Sequence, residues 1–417
     1  MSLRENLREK LRDAVIDITY LLVRLGLIKL SKTEWTVWHL KRELQRKVQR
    51  VRINKIAFLF VHSFDFDHVK GVLRYLPKGS FDIVVCHYKN PFLKSASNPI
   101  RLKADEIKTK VTEIDPACRV RTFSEVIENA EKYSICVCVH SNIACTGRYK
   151  GHIGMSLIGD KMELFGFSFH IYNVPLLLYI GCLSKIFCIG SLQASCFKSL
   201  PIKAEILDYG SPRFDEIELS SKIDRKSLAS QKKTMLFLPT HGRTQEAIDA
   251  IVAIAQRFSR DYNVIIGYYV FRSKEKEEMK DLVLSRASSV QLVIGEDNTK
   301  LIPIADFVFC DCYAGSVLTA VRMDKNIVTL KDKKPPVWFV REKEVEELEG
   351  RLGTFSVDDY DKIAAVLKDD AYWERQRVVR AELRKQFFSF HKEPSGKLIA
   401  DELMRDLKAA SECNVKA

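Results

Sequence analysis

The sequence predicts an α/β protein of two domains, each built on a parallel β-sheet. The chain has 417 residues, which is too long for one compact core and suits two domains of roughly 150–200 residues each. Short apolar runs alternate with amphipathic stretches, a pattern typical of βαβ units. A polar, charged stretch from Glu216 to Lys233 separates two such series.

The first series predicts a Rossmann-like domain over residues 53–216. Apolar runs predict strands at Ile56–Val61, Phe81–Cys86 and Ile135–Val139. Helical periodicity predicts helices at His68–Leu76 and Ser124–Lys132 between them.

The second series predicts another Rossmann-like domain over residues 233–357, after a linker at 217–232. The predicted strands are Thr234–Leu238, Asn263–Tyr268, Val290–Ile294, Phe307–Cys310 and Ile327–Leu330. The predicted helices are Gln245–Ser259, Lys274–Arg286 and Ser316–Met323. Residues 358–417 are expected to be mostly helical. In such domains the ligand crevice opens at the carboxyl ends of the strands.

The segment before the first domain, residues 1–52, has the pattern of a basic amphipathic helix. It carries 13 basic and 6 acidic side chains, a net charge of +7 out of +13 for the whole chain. Apolar residues recur at helical spacing from Leu11 to Ile28, and Trp35 and Trp38 follow. This composition predicts binding to the surface of an anionic membrane. A helix packed on the protein body and an RNA-binding arm are the alternatives.

Charge and cysteine content narrow the class of protein further. The pI near 9.1 favours an anionic partner, but no aromatic-bearing basic sheet indicates nucleic acid. None of the 11 cysteines forms a C-x-x-C pair. Cys136 with Cys138, and Cys310 with Cys312, are spaced to share one face of a strand, as small buried hydrophobes do. We therefore expect no metal centre or disulfide framework, and a cytoplasmic location.

The stretch from Lys300 to Leu330 has the composition of an anion site. Asp311, Gly315 and Ser316 lie between a predicted strand and a predicted helix. Free backbone N–H groups at a helix start favour an anion, and glycine allows close approach. The alternative is a structural turn in which Ser316 caps the helix.

Four segments of the chain match the motifs of one enzyme family. "IADFVFCDCYAGSVLTAVRMDKNIVTL" is similar to the signature "aDxvisDySsvxxeaxxldkPvixl" of GT-B-type transferases. "GSPRFDEI", "MLFLPTHG" and "FHIYNVPLLLYIGCLSKIFCIGSLQASCF" are the other three. Together they resemble the CDP-glycerol glycerophosphotransferase family, which polymerises teichoic acids and related capsules. The resemblance covers roughly residues 140–335. It implies a GT-B-like enzyme whose two domains face each other across a cleft.

The resemblance also implies a reaction: inverting, metal-independent transfer of a polyol-phosphate or glycosyl unit from a nucleotide-activated donor, without a cofactor. The implied acceptor is lipid-linked or polymeric, at the inner face of the cell membrane. The donor diphosphate is expected at Asp311, Gly315 and Ser316, with Thr240 and Arg243 beside it.

Two histidines are the candidate catalytic residues. His152 in "GHIGMSLIGDK" matches the family's general base imperfectly, and His140 and His170 are the spare candidates. His241 in "PTHGR" follows a predicted strand and is expected to serve catalysis or bind phosphate. Arg213 in "SPRFD" is expected either to pair with Asp215 or to contact the donor.

One departure from the family keeps other functions open. The family's "KxHP" element is replaced by "IIGYYVFRSK", which has Arg272 and no histidine. A different donor, a soluble nucleotide-sugar epimerase of the same fold, and a degenerate non-catalytic binding protein are therefore the alternatives.

Overall fold

The computed structural model describes fourteen stretches of the chain. They are residues 51–60, 65–85, 104–129, 131–138, 155, 158–165, 183–199, 203–215, 232–240, 245–268, 273–295, 298–311, 315–331 and 343–415. The basic amphipathic segment predicted over residues 1–52 lies outside them up to residue 50, and its last two residues, Val51 and Arg52, belong to the first β-strand instead. The chain divides into two compact units: Met1–Glu216 with Ser389–Ala417, and Ile217–Phe388.

The first unit contains a seven-stranded parallel sheet with the order β3-β2-β1-β4-β5-β6-β7. Its strands are β1 Val51–Phe60, β2 Phe81–Val85, β3 Val120–Thr122, β4 Glu131–Cys138, β5 Gly159–Phe165, β6 Lys185–Phe187 and β7 Glu205–Leu207. Its helices are α1 Asp65–Leu73, α2 Ala104–Ile114, α3 Phe123–Glu128, α4 Ser191–Lys198 and, after the second unit, α12 Ser395–Val415.

The second unit contains a six-stranded parallel sheet with the order β10-β9-β8-β11-β12-β13. Its strands are β8 Thr234–Leu238, β9 Asn263–Tyr268, β10 Gln291–Ile294, β11 Phe307–Cys310, β12 Asn326–Lys331 and β13 Thr354–Ser356. Its helices are α5 Gln245–Phe258, α6 Ser273–Arg286, α7 Asn298–Leu301, α8 Gly315–Arg322, α9 Lys343–Leu352, α10 Tyr360–Val366 and α11 Asp370–Phe387. A 3-10 turn at Ile302–Ile304 precedes β11.

Apolar periodicity explains how these elements pack. In α5 the side chains of Ile248, Ile251, Val252 and Ala255 recur at helical spacing, and all four are buried against the second sheet's core. In β4 the side chains of Cys136 and Cys138 both belong to one buried cluster of the first unit. The predicted burial of this cysteine pair on one strand face is therefore confirmed.

Helix α12 completes the core of the first unit from a distant part of the chain. Its residues Ile399, Leu403 and Leu407 are buried in one cluster with residues of β1, β2, β4 and α1. The crossing with α1 is close, since a Cβ built at Gly396 lies 2.5 Å from the carbonyl oxygen of Gly71. Glycine is required here because any side chain would collide with that backbone.

The two predicted parallel-sheet, Rossmann-like domains are confirmed, but strands β3, β5, β6, β7 and β13 were not predicted, and one predicted helix is too long. The helix predicted over Ser124–Lys132 ends at Glu128, and β4 already begins at Glu131. The polar start of β4 pairs with Val51 and Arg52 of β1, so long-range pairing overrides the helical pattern. The predicted helical region 358–417 is divided, with α10 and α11 in the second unit and α12 in the first. Among the helices described, none is long and apolar enough to cross a membrane.

Candidate functional site

The second sheet has its topological switch point between β8 and β11. From β8 the chain proceeds to β9 and β10 on one side, and from β11 it proceeds to β12 and β13 on the other. In open α/β sheets, ligands bind in the crevice outside the carboxyl ends of the two strands that flank this point. The residues that follow Leu238 and Cys310 therefore define the candidate site.

Thr240 and Asp311 tie the two strand ends together at this point. The Thr240 hydroxyl lies 2.6 and 2.7 Å from the two carboxylate oxygens of Asp311, and the Thr240 backbone N–H donates to Oδ2 over 3.1 Å. Both residues are buried. A buried carboxylate needs such donors, so the pair fixes both loops as they leave the sheet.

Helix α8 begins four residues beyond Asp311, after the carboxyl end of β11. Ser316 in its first turn is 5% exposed, and its Oγ has no hydrogen-bond partner among the described residues. A Cβ built at the exposed Gly315 meets no described atom within 4 Å. The first turn therefore combines free backbone donors, a buried hydroxyl and open space, which is an arrangement that receives an anion.

Strand β9 and helix α8, which flank this site, are closely packed. A Cβ built at Gly267 on β9 would lie 2.8 Å from Leu238 Cδ2 and 2.9 Å from Leu301 Cδ1. In α8, Val317, Leu318, Ala320 and Val321 are buried. Dense packing holds the helix start in one position, which a binding site for a charged group requires.

Arg213 lies in the first unit, in a short helical segment that begins at Pro212 after β7. Its neighbour Asp215 accepts hydrogen bonds from the backbone N–H groups of Ser395 (3.1 Å) and Gly396 (2.6 Å). Asp215 therefore caps the N-terminus of α12. The "SPRFD" segment thus has a structural function in anchoring the returning helix, whichever partner Arg213 has.

The remaining predicted site residues, His152, His241 and Arg243, lie outside the described residues, as do His140 and His170. Of the predicted donor-phosphate residues, the structure thus brings Thr240 and Asp311 into contact and places Gly315 and Ser316 at the adjacent helix start.

Two buried ionic clusters in the first unit were not predicted from sequence. In the first, Asp82 at the start of β2 is 0% exposed and accepts from Lys55 Nζ (3.0 Å), Arg119 Nη2 (2.6 Å) and the Tyr133 hydroxyl (3.0 Å). Burial, then the charge of Asp82, raises the pKa of the Tyr133 hydroxyl. The second cluster surrounds Glu163 on β5 and is described below. For the first cluster, an acidic residue within the apolar run FDIVV was the available sequence signal. Glu163 lies in GDKMELF, whose polar start hides the strand.

Two parallel sheets of this strand order, in two units of one chain, define the class of protein as a GT-B-type α/β fold. No family model matches the chain, and no curated protein matches it. Solved structures do match. The wall teichoic acid polymerase TagF is 14% identical with a TM-score of 0.57, over 99% of this chain and 100% of that one.

Two further similar structures hold uridine nucleotides. The S. aureus MnaA–UDP complex is 13% identical with a TM-score of 0.57, over 85% of this chain and 97% of that one. The UDP-GlcNAc 2-epimerase from Neisseria meningitidis, bound to UDP-GlcNAc, is 12% identical with a TM-score of 0.50, over 84% and 100%. At these identities the similarity establishes the fold.

Proposed function

We propose that this protein is a GT-B-type transferase that moves a polyol-phosphate or glycosyl unit from a nucleotide-activated donor to a lipid-linked or polymeric cell-surface acceptor. The observation that carries the proposal is the open start of α8 at the switch point of the second sheet, where the buried Ser316 hydroxyl has no hydrogen-bond partner among the described residues. Two of the similar structures hold UDP and UDP-GlcNAc, which supports a nucleotide donor.

The donor diphosphate would bind the first turn of α8. Its backbone N–H groups and the Ser316 hydroxyl donate hydrogen bonds to phosphate oxygens, and Gly315 leaves room for them. As the bond to the transferred group breaks, negative charge accumulates on the leaving phosphate, and these fixed donors stabilise it. In this proposal the helix donors take the place of a metal ion at the leaving phosphate, and the transfer is inverting because the acceptor displaces that phosphate in a single step.

Asp311 has a positioning role in this scheme. Both of its carboxylate oxygens lie within 2.7 Å of the Thr240 hydroxyl, and a carboxylate repels a phosphate. Asp311 and Thr240 therefore hold the two loops, while the donors of α8 contact the ligand. His152 and His241 remain the candidates for the general base and for a phosphate contact.

Calorimetric titration with UDP, CDP, GDP, CDP-glycerol and UDP-GlcNAc tests the proposal. We expect micromolar binding of one nucleotide class, and about 30-fold weaker binding in Ser316→Ala, since a hydrogen bond to a charged group contributes about 2 kcal/mol. Thermal stability should stay the same or rise in this variant, because the lost hydroxyl is buried and unpaired. Absence of nucleotide binding in the parent protein would refute the proposal and favour a degenerate binding protein.

Gly315→Leu with Gly350→Leu as matched control tests the open space. Both glycines are exposed helix residues with no described atom within 4 Å of a built Cβ, so neither substitution should destabilise the fold. We expect Gly315→Leu to reduce nucleotide binding at least tenfold and Gly350→Leu to leave it unchanged. Equal binding in both variants would place the nucleotide elsewhere.

The epimerase alternative shares the nucleotide site but needs no acceptor. Incubation with UDP-GlcNAc alone distinguishes the two: an epimerase forms the 2-epimer, whereas a transferase returns the substrate unchanged until an acceptor is added.

We place the enzyme at the inner face of the cell membrane through residues 1–52. Replacing Lys41, Arg42, Arg46 and Lys47 by Gln in the full chain should reduce sedimentation with phosphatidylglycerol vesicles at least tenfold, because each basic residue near an anionic surface contributes about 1 kcal/mol. Binding to phosphatidylcholine vesicles is the control. Unchanged sedimentation would contradict this location.

A further inference from the structure

Three neighbouring strands of the first sheet place charged residues in one row. The register aligns Glu163 of β5 with Lys185 of β6, and Lys185 with Glu205 of β7. On the other side Glu163 aligns with Val137 of β4. Side chains two positions along a strand share a face, and Phe165, two positions beyond Glu163, belongs to the apolar core beneath α12. Glu163 therefore projects into the face that α12 covers.

Helix α12 supplies the counter-charges from two successive turns. Lys185 forms ion pairs with Glu402 and, at 2.5 Å, with Asp406. Lys161, two positions before Glu163, lies 3.0 Å from Asp406. Glu402 also accepts from the Tyr209 hydroxyl (3.3 Å). These contacts flank the apolar contacts of the same helix, so ionic and apolar packing jointly hold α12 on the sheet.

The charge balance of this cluster depends on Glu163. The two lysines match the two carboxylates of Glu402 and Asp406, and the outer members, Arg405 and Glu205, are largely exposed at 70% and 56% of their side chains. Glu163 is 0% exposed, and neither of its carboxyl oxygens accepts a hydrogen bond from a described residue. An ionised Glu163 would be a buried negative charge without a counter-ion of its own, which is costly.

The titration behaviour agrees with this geometry. Burial raises the pKa of the Glu163 carboxyl well above its usual range, and the negative charge of Asp406 raises it further. Burial also raises the pKa of Asp406, but hydrogen bonds from Lys185 and Lys161 outweigh it and leave that pKa below its usual value. Burial lowers the pKa of Lys185, and its bonds to Asp406 and Glu402 more than compensate. Glu163 is thus the member of this cluster that stays neutral.

We propose that the Lys161–Glu163–Lys185–Glu402–Asp406 cluster is a proton-dependent latch, which holds α12 on the first sheet while Glu163 is protonated and loosens α12 as the pH rises. Undocking exposes Glu163 to water, where a carboxyl group ionises near pH 4.3. Between that pH and the raised pKa of the docked state, undocking releases one proton. Docking is therefore fully favoured below this window and weakens by up to about tenfold per pH unit within it. Asp406 affects docking with the opposite pH dependence. Because its pKa is lowered in the docked state, its contribution to docking is complete above about pH 5 and is lost at lower pH.

Hydrogen exchange of α12 amides in the full chain, from pH 5 to 9, tests the latch. Protection factors, which correct for the intrinsic rate, should fall with pH in the parent protein and stay flat in Glu163→Gln, a neutral isostere. Glu113→Gln, an exposed site on α2, should retain the parental fall, and α5 amides in the second unit serve as the internal reference. Because the two proteins differ only at residue 163, the difference between their protection factors at each pH isolates the titration of Glu163.

Each outcome decides the proposal. A pH-dependent parent with a flat Glu163→Gln variant supports it, as does higher α12 protection in that variant at pH 8. The latch is overturned by a parent protein without pH dependence, by an identical slope in Glu163→Gln, or by failure of that variant to fold, which would mean that Glu163 is ionised in the native state.

Discussion

Asp82 and Asp311 are both buried aspartates of a parallel sheet, but they lie at opposite ends of their strands and serve different purposes. Asp82 begins β2 and is surrounded by Lys55 and Arg119. Asp311 follows β11 and receives the hydroxyl and backbone N–H of Thr240. At the amino end of β2, the Asp82 carboxylate is paired with two cations, and these ion pairs stabilise the sheet. At the carboxyl end, a neutral donor holds the loops and leaves the α8 donors for a ligand.

Asp82→Ala should produce the largest effect on stability. It removes the partner of Lys55, Arg119 and Tyr133 together, and breaking a buried ion pair from one side typically costs 3–5 kcal/mol. We expect about 3 kcal/mol, at the lower end, because the Arg119 side chain is 48% exposed. Urea unfolding measures the loss, with Glu113→Ala as the exposed control.

Nucleotide binding by folded Asp82→Ala protein should match that of the parent. If folded Asp82→Ala protein binds nucleotide more weakly than the parent, Asp82 contributes to the ligand site, and the contrast between the two aspartates is wrong.

Thr240→Val, compared with Thr329→Val, tests the other side of the contrast. Both threonines are buried in the second unit, and Thr329 Oγ1 donates to the Gly353 carbonyl oxygen over 3.1 Å. Each substitution removes the hydroxyl donor of an acceptor that is buried (Asp311) or half-buried (Gly353) and should cost about 1–2 kcal/mol in urea unfolding. Thr240→Val alone should also weaken nucleotide binding, because the loops at the switch point lose their link. Equal binding in the two variants would make the Thr240–Asp311 bond purely structural.

The smallest expected effect concerns Cys118, near Asp82. Burial, and then the charge of Asp82, raises the pKa of the Cys118 thiol to about 12. Only the thiolate is nucleophilic, so iodoacetamide should label Cys118 slowly at pH 8. Asp82→Asn removes the charge, lowers this pKa and should accelerate labelling a few-fold by peptide mass spectrometry. A slower or unchanged rate would show that Asp82 has no electrostatic influence on this thiol.

Five of the six strands of the second sheet could be predicted closely from sequence. Thr234–Leu238, Asn263–Tyr268 and Phe307–Cys310 have the predicted bounds, because each is a short run of mostly apolar residues. The start of α8 was also predictable, since Asp311, Gly315 and Ser316 stand in the loop and first turn between a strand and a helix.

The contacts that organise the first unit could not be predicted from sequence. Glu402 meets Lys185 across 217 positions, and Asp215 meets Ser395 across 180. No local pattern encodes such pairs, because they depend on where α12 returns. The hydrogen bond between the Thr240 hydroxyl and Asp311, 71 positions apart, could not be predicted for the same reason.

Helix α12, which packs on α1 at Gly396, belongs to the first unit but follows the second unit in the chain. This order determines when the first unit can complete its folding. Residues 395–415 leave the ribosome after the whole second unit, yet Ile399, Leu403 and Leu407 cover part of the first sheet's core. Until then the nascent first unit exposes an apolar face, which is a substrate for chaperones and a site for aggregation. Assembly of the first unit is thus a late step that follows translation of its neighbour.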